Sequence, residues 1–301
     1  MMKDIWNFLS KYKVYFQIAI SIIIIVFIFN IIDWKDSLSL ILQLDLLIIG
    51  SILGLSVLKF FIQAINWYYC LKLSDSIDSN FRIALKTHTI AGALRFFLPG
   101  GFATFGKVFY IKTQRKMDTL FSIAIEKFYI TWGIILFASF SLPLSLYILY
   151  DKKMLYLFII TVIVAILPFV ITKLFPKRIT TEQRKNYNKY VPIFFVTQVI
   201  FIPLTLLQYF ILLQFFVDYE LSFFLVAMVI SLIISADIIP ITFSGLGLRE
   251  TASMLLLPLI NIPAEIAVAT ALIIFIFNAI IPAIPGIVLI TFNKSHHANT
   301  E

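Results

Sequence analysis

The sequence has little charge and almost no cysteine. Only 13% of its 301 residues are Asp, Glu, Lys or Arg, whereas soluble domains carry about 25%. The single cysteine, Cys70, excludes an intrachain disulfide and a cysteine-based metal cluster. These two shortages argue against a soluble domain and against a scaffold held together by disulfides or cysteine-bound metal.

Catalytic signatures are also missing from the sequence. There is no His-Glu-x-x-His zinc motif, no Gly-x-Ser-x-Gly nucleophile turn and no phosphate-binding Walker loop. An ATP-driven pump would need a nucleotide-binding domain, and the sequence shows no motif of such a domain. We therefore predict that the protein is not an enzyme and uses no cofactor and no metal.

Long runs of apolar residues are abundant in the sequence. Hydrophobic residues make up 61% of the chain, the mean hydropathy is +0.99, and several apolar runs exceed the roughly 18 residues of a membrane-spanning helix. We predict an all-α polytopic membrane protein with about six spanning helices. Their predicted positions are residues 14–32, 44–68, 120–149, 154–175, 191–217 and 264–292.

Two polar, glycine-bearing stretches interrupt the apolar pattern, within residues 83–111 and 221–260. Irregular backbone at membrane depth is tolerated only where it is buried in protein or lines a watery cavity. Broken segments in corresponding halves of a membrane protein point to a transport site. The breaks are predicted at Pro99, Gly100, Gly101, Gly245 and Gly247.

The distribution of basic residues predicts the topology. The formal net charge is +8, and the basic residues concentrate in connections that the positive-inside rule assigns to the cytoplasm. We predict a multi-pass protein of the cell membrane with cytoplasmic N- and C-termini. Attraction to anionic lipid head groups explains the basic charge, so we predict no nucleic-acid partner.

This topology makes both interrupted stretches enter and leave the membrane on one side. Each half then consists of two spanning helices, a re-entrant helical hairpin and a third spanning helix, so that the halves form an inverted repeat. We predict one transmembrane domain over residues 1–301, with halves of roughly 1–150 and 151–301 and no soluble domain. Residues 221–239 are long enough to span outright, which leaves a plain eight-helix bundle as the alternative.

Ionisable residues inside apolar segments are the candidate site residues, because each costs roughly 2.5–3.5 kcal/mol on insertion scales. Arg95 and Lys107 flank the first break, where helix ends add backbone donors for a lipid phosphate. The alternative for both is that they extend to the cytoplasmic interface. Lys59, Lys127 and Asp237 also lie in or beside apolar segments.

Glu126 and three residues of the second half complete the predicted substrate-binding set. Glu126 lies about two turns into the third predicted spanning helix. It either carries a proton or pairs with Lys59, Arg95 or Lys107. Arg249 is a ligand candidate that could form a gate with Glu250 or Glu126. Glu250 also suits the first turn of a helix, and Asn278 lies inside the last helix.

Several motifs resemble one known family. Ser244-Gly245-Leu246-Gly247-Leu248-Arg249-Glu250, preceded by Pro240, resembles the glycine–glycine–leucine–glycine–x–x–glutamate signature of the lysylphosphatidylglycerol synthase transmembrane-region family, also called the flippase-like domain family. In the first half, Asn66-Trp67, Leu98-Pro99 with Lys107, and Glu126-Lys127 resemble family elements in the expected order. The chain departs from the family at Ala103-Thr104 and at Asn278, where a Gly-acid pair and an arginine are usual.

The resemblance implies translocation of a membrane lipid, such as an aminoacylated phospholipid or a polyprenol-linked glycan. Bifunctional members carry a soluble aminoacyl-transferase domain after the membrane part, and we expect no synthase activity from these 301 residues. The predicted function is therefore a flippase for a phospholipid or polyprenol-linked lipid with an anionic head group. The alternative is a non-transporting scaffold for a glycosyltransferase or lipid-modifying enzyme. An enzyme partner of this kind and a homodimer both stay open.

Overall fold

The chain folds into helices of very different length. The computed structural model describes residues 39–73, 79–95, 102–111, 116–149, 156–170, 181–239 and 246–298, and these contain no strand. The helices are α1 Leu46–Leu71, α2 Phe81–Leu94, α3 Phe102–Phe105, α4 Lys116–Leu149, α5 Phe158–Val170, α6 Thr181–Phe216, α7 Phe223–Ser235, α8 Leu248–Leu256, α9 Ala264–Phe275 and α10 Ile281–Ala298. Short 3-10 turns lie at Gly106–Tyr110, Ala236–Ile238 and Leu257–Ile260, and a π-helical turn lies at Ile276–Ile280.

Local sequence signals explain where α1 and α2 begin. The Asp45 carboxylate accepts a hydrogen bond from the Ile48 N–H at 2.7 Å, and the Asn80 side chain accepts one from the Arg82 N–H at 3.0 Å. Each satisfies a backbone donor that the first helical turn leaves unpaired. These caps fix where the two helices begin.

Four helices of the described chain are long and apolar enough to cross a membrane: Leu46–Leu71, Lys116–Tyr147, Thr181–Phe216 and Ala264–Thr291. They agree with four of the six predicted spans. The predicted span at 14–32 lies outside the described residues. The prediction at 154–175 is described only in part. Within it α5 has 13 described residues, which extend about 20 Å, and the rest of the predicted span on its C-terminal side lies outside the described residues.

Helix α6 begins ten residues earlier than its apolar run predicts. The added turns are polar, yet they pack against α4, where Gln183 Nε2 donates to Asp118 Oδ1 at 3.0 Å. The hydroxyls of Tyr187 and Tyr129 lie 2.9 Å apart in the same contact. Hydropathy registers only the apolar part of a helix, so it misses an extension stabilised by polar side chains.

Both interrupted stretches form pairs of contacting helical segments. Helix α2 packs against α3 and the following 3-10 turn, and α7 packs against α8. The predicted break residues Pro99, Gly100, Gly101 and Gly245 lie outside the described residues. Gly247 is described and has φ 94°, a left-handed conformation that favours glycine, and α8 starts at the next residue.

The most extensive helix contacts join the first part of the chain to the second. Helix α1 packs against α6, α2 packs against α10, and α4 packs against α7. The first arm of each hairpin therefore lies against the last long helix of the opposite half. The buried residues form two hydrophobic clusters, one around Tyr209 and Ile230 and one around Trp67 and Tyr129. Helices α1 and α6 contribute residues to both clusters.

The contact between α2 and α10 depends on Gly286. A Cβ atom at this position would lie 2.3 Å from the carbonyl oxygen of Thr89 and 2.8 Å from the Cβ of Ala93. Real Cβ atoms do not approach backbone this closely, so only glycine lets the two helices pack at this distance. The π-helical turn lies just before α10, where Pro282 has no N–H to donate to the carbonyl of Asn278 four residues earlier.

Candidate functional site

A cavity of about 430 Å³ lies beside the hydrophobic cluster around Tyr209 and Ile230, several of whose residues line it. Helices α1 and α6 each contribute a stretch to its wall. The remaining wall comes from both hairpins, from α4 and from the segment that joins α9 to α10. Its charged lining consists of Lys59, Arg95, Lys127, Asp237 and Arg249.

Lys59 lies near the middle of α1 and is only 4% exposed. Its Nζ donates to Gln208 Oε1 at 2.8 Å and lies 5.0 Å from the centre of the Phe201 ring. Gln208 also donates to Ser56 Oγ at 2.8 Å and accepts from Asn278 Nδ2 at 2.9 Å. A neutral amide is thus the polar partner of this buried ammonium among the described residues.

Gln208→Leu is expected to lower the free energy of unfolding by about 1–3 kcal/mol, because it leaves the Lys59 ammonium and the Asn278 amide without this acceptor. Gln208→Glu keeps an acceptor and adds a counter-charge, so we expect it to lose less. Thermal unfolding of the two purified variants in the same detergent checks this order. Equal stability of Gln208→Leu and the unmodified chain would show that the amide does not support Lys59.

Arg249 pairs with Asp237, which corrects the predicted gate partners. Its Nη2 donates to Asp237 Oδ2, across the two arms of the second hairpin. Glu250 instead accepts the Gly247 N–H at 2.7 Å, at the start of α8, where a carboxylate complements the helix dipole. Glu250 does not line the cavity among the described residues, and its contact is structural.

Lys107 and Glu126 form a second ion pair, enclosed by protein. The Lys107 Nζ lies 2.6 and 2.7 Å from the two Glu126 carboxylate oxygens and 3.9 Å from the centre of the Trp67 ring. Lys107 is 1% exposed and Glu126 is 2% exposed, so the interfacial alternative for Lys107 is wrong. Trp67, whose Nε1 donates to Thr87 Oγ1 at 2.9 Å, is a buried support for the pair.

Glu126 lies farther from the start of its helix than the sequence predicted. Helix α4 begins at Lys116, four residues before the predicted span, so Glu126 is nearly three turns from the helix start instead of two. A small chamber of about 50 Å³ borders the pair and is shared with Arg95, His88 and Asn278. The pair therefore lies beside the large cavity without lining it.

Arg95 and Lys127 have no carboxylate partner among the described residues. Both line the large cavity, and Arg95, at the end of α2, borders the small chamber as well. The Arg95 side chain is exposed, and the space next to it is the cavity. His88 also lines both spaces; its ring packs against Phe60 at 5.0 Å, and its Nδ1 has no partner among the described groups.

The structure brings together most of the predicted site residues. Arg95, Arg249 and Asn278 line the large cavity, and Lys107 and Glu126 line the adjoining chamber. The sequence analysis noted Lys59, Lys127 and Asp237 but did not include them in the predicted site. The criterion that selected Arg95 and Glu126, an ionisable side chain within an apolar segment, applies to these three residues as well.

Polar amides were the other overlooked signal. Gln208 and Gln198 are fully buried in α6, and Gln63 is buried in α1. Gln63 Nε2 donates to Gln198 Oε1 at 3.3 Å, so amides join α1 to α6 at two levels. Within the part of the chain that the structure describes, no group of three His, Cys, Asp or Glu side chains could hold a metal ion.

Comparison with known proteins identifies the family. The family model described as lysylphosphatidylglycerol synthase TM region matches residues 14–286, a range that contains every described residue of the cavity wall. No curated protein matches the chain. The family match and the apolar helices together show a multi-pass membrane protein, and the family implies a function connected with membrane lipids. The chain belongs to the lysylphosphatidylglycerol synthase TM region family.

Proposed function

We propose that this protein is a lipid flippase that moves a phospholipid or polyprenol-linked lipid with an anionic head group between leaflets. The observation that carries the proposal is the cation-lined cavity between the two halves. Four cationic side chains and one carboxylate line it. A charge held within a membrane costs roughly 2.5–3.5 kcal/mol on insertion scales, so this surplus of cations calls for an anion.

A lipid phosphate supplies that anion. Arginine and lysine form their strongest hydrogen bonds with phosphate and carboxylate oxygens. The wall of the same cavity also contains apolar residues, among them Phe60, Ile134, Phe201 and Ile274. A cavity with both cationic and apolar lining suits an amphiphile whose head group is enclosed while its chains stay in the hydrocarbon.

We further propose that the halves, roughly 1–150 and 151–301, form one domain as an inverted repeat with two re-entrant hairpins. The exchanged contacts of α2 with α10 and of α4 with α7 support this, because a twofold relation between the halves makes these two contacts equivalent. The positions of the basic connections support cytoplasmic termini in the cell membrane. Substrate sites of inverted-repeat transporters lie at the repeat interface, which is where the cavity lies.

Transport explains the site better than a scaffold does. A scaffold for a lipid-modifying enzyme requires an outer docking surface, whereas convergence of Arg95, Arg249 and Asn278 on one internal cavity serves binding. We propose movement without covalent chemistry or cofactor. An enzyme that makes or consumes the lipid and a second copy of the chain are compatible with this proposal as partners.

Arg95→Ala and Lys127→Ala are each expected to slow lipid translocation at least tenfold in proteoliposomes, because each removes a cavity cation that has no carboxylate partner within the described part of the chain. The readout is dithionite quenching of an acyl-labelled anionic phospholipid, with protein-free vesicles as the baseline. Arg82→Ala is the matched control. Arg82 is an exposed residue in the first turn of α2, the helix that ends just before Arg95, and it does not line the cavity.

These two variants separate binding from folding more cleanly than Arg249→Ala does. Removal of Arg249 leaves Asp237 without its partner, so loss of transport in that variant has two causes. If both Arg95→Ala and Lys127→Ala move lipid at the unmodified rate while the protein remains folded, the cavity is not the translocation site. Absence of any protein-dependent movement in the unmodified chain would favour the scaffold.

A further inference from the structure

We propose that the cavity selects head groups with two or more negative charges, such as a terminal phosphomonoester or a diphosphate, over head groups with one negative charge or a net positive charge. This inference rests on the proposed function and names its substrate class. It follows from the number, the pairing and the grouping of the cavity's charges.

The number of charges comes first. The four cations Lys59, Arg95, Lys127 and Arg249, set against the one carboxylate of Asp237, leave the described cavity wall with a formal charge of +3 when His88 is neutral. The two sequence stretches next to the hairpin arms, residues 96–101 and 240–245, contain no Asp or Glu. A single phosphodiester would leave most of this charge uncompensated.

The pairing of the charges is incomplete in a way that leaves donors for a ligand. Lys59 has a neutral amide as its polar partner, and Arg95 and Lys127 have no carboxylate partner among the described residues. Arg249 lines the cavity together with Asp237, to which its Nη2 donates. Lys59, Arg95 and Lys127 therefore border one space with unused hydrogen-bonding capacity.

The grouping of the cations favours a ligand with more than one anionic oxygen. Lys59, Arg95, Lys127 and Arg249 line one space, so their positive charges repel one another, and an anion between them relieves that repulsion. One negative charge relieves only part of the repulsion, whereas a dianion relieves more of it.

The size and sign of the cavity exclude other head groups. At about 430 Å³ it falls in the lower part of the roughly 300–1,000 Å³ range of small-molecule sites, so it suits a compact head group. An aminoacylated head with a net positive charge would add to the +3 already present, and like charges within a low-dielectric site repel strongly. A neutral or zwitterionic head would leave the cations unpaired.

The test compares two lipids that share their chains and differ in the head group. Proteoliposomes contain acyl-labelled phosphatidic acid, a phosphomonoester with a charge of about −1.5 to −2 at neutral pH, or acyl-labelled phosphatidylglycerol, a phosphodiester with one charge. Protein-dependent translocation is measured by dithionite quenching at pH 7.5. We expect phosphatidic acid to move at least tenfold faster than phosphatidylglycerol.

Two variants tie this preference to the cavity. Gln208→Glu places a carboxylate against Lys59, and Lys127→Gln removes a cation without touching the Gln208 contacts. Both should reduce the ratio of the two rates at least threefold, while Arg82→Gln leaves the ratio unchanged. If Gln208→Glu does not fold, the ratio of the two rates in Lys127→Gln alone shows whether the preference depends on the cavity.

The outcomes separate this inference from the proposed function. Equal movement of the two lipids, or a ratio that neither variant lowers, overturns the selectivity and leaves the flippase proposal standing. Faster movement of phosphatidylglycerol overturns the selectivity as well. No protein-dependent movement of either lipid by the folded protein overturns both.

Discussion

Glu126→Gln is expected to lower the free energy of unfolding by about 3–5 kcal/mol, because removing one partner of a buried ion pair leaves the other charge uncompensated. The stranded group is Lys107, whose ammonium bonds both Glu126 oxygens and is enclosed by protein. The Trp67 ring beneath it attracts a cation but carries no countercharge. Of the three pairing partners that the sequence left open for Glu126, which were Lys59, Arg95 and Lys107, the structure has Lys107.

Thermal and denaturant unfolding in one detergent measure this loss. Glu182→Gln is the control, because Glu182 is exposed in the first turn of α6, and its removal should cost well under 1 kcal/mol. The double variant Lys107→Met/Glu126→Met removes both charges and should recover most of the stability, as apolar replacements of buried pairs often do. An unchanged unfolding midpoint in Glu126→Gln would show that the pair is not enclosed as described.

Gly286→Leu is expected to separate α10 from α2 and to destabilise the protein by at least the roughly 1–3 kcal/mol typical of overpacked cores. The clash is with the backbone carbonyl of Thr89, which cannot move aside as a flexible side chain can. Because α2 leads to Arg95 and the π-helical turn before α10 carries Asn278, we also expect lipid movement to fall to the protein-free rate.

The control for Gly286 is a glycine with free space around it. A Cβ added at Gly54 in α1 would meet nothing within 4 Å, so Gly54→Ala should be neutral or stabilising by up to about 1 kcal/mol. Gly286→Ala should lie between Gly54→Ala and Gly286→Leu. Size-exclusion profiles and unfolding midpoints report the order, and a Gly286→Leu variant as stable as the unmodified chain would show that α2 and α10 do not pack at this distance.

The sequence predicted the long helices well because their signal is local. Apolar runs around Lys59, Glu126 and Asn278 are long enough to read directly, and the glycine at Gly247 marked the start of α8 within one residue. The polar first turns of α6 were missed, since Gln183 and Tyr187 are buried by α4 and not by lipid.

The partners of the charged residues could not be predicted in the same way. The pair of Arg249 with Asp237 joins positions 12 residues apart on two arms of a hairpin, and the contact of Lys59 with Gln208 joins positions 149 residues apart. Sequence shows that a buried charge needs a partner, but several candidates satisfy that need equally. Only the packing of the helices chooses between them.

The π-helical turn at Ile276–Ile280 fixes the rotational phase of the helix that follows it. Each residue of an α-helix advances the side-chain direction by about 100°, and a π turn inserts extra backbone into that progression. Asn278 faces the cavity from within the turn, while Gly286 meets the backbone of α2. Deleting one residue here would rotate all of α10 and turn a side chain toward Thr89 in place of the glycine. The length of this turn, more than the identity of its residues, therefore allows one continuous helix to form both the cavity wall and the close contact with the opposite hairpin.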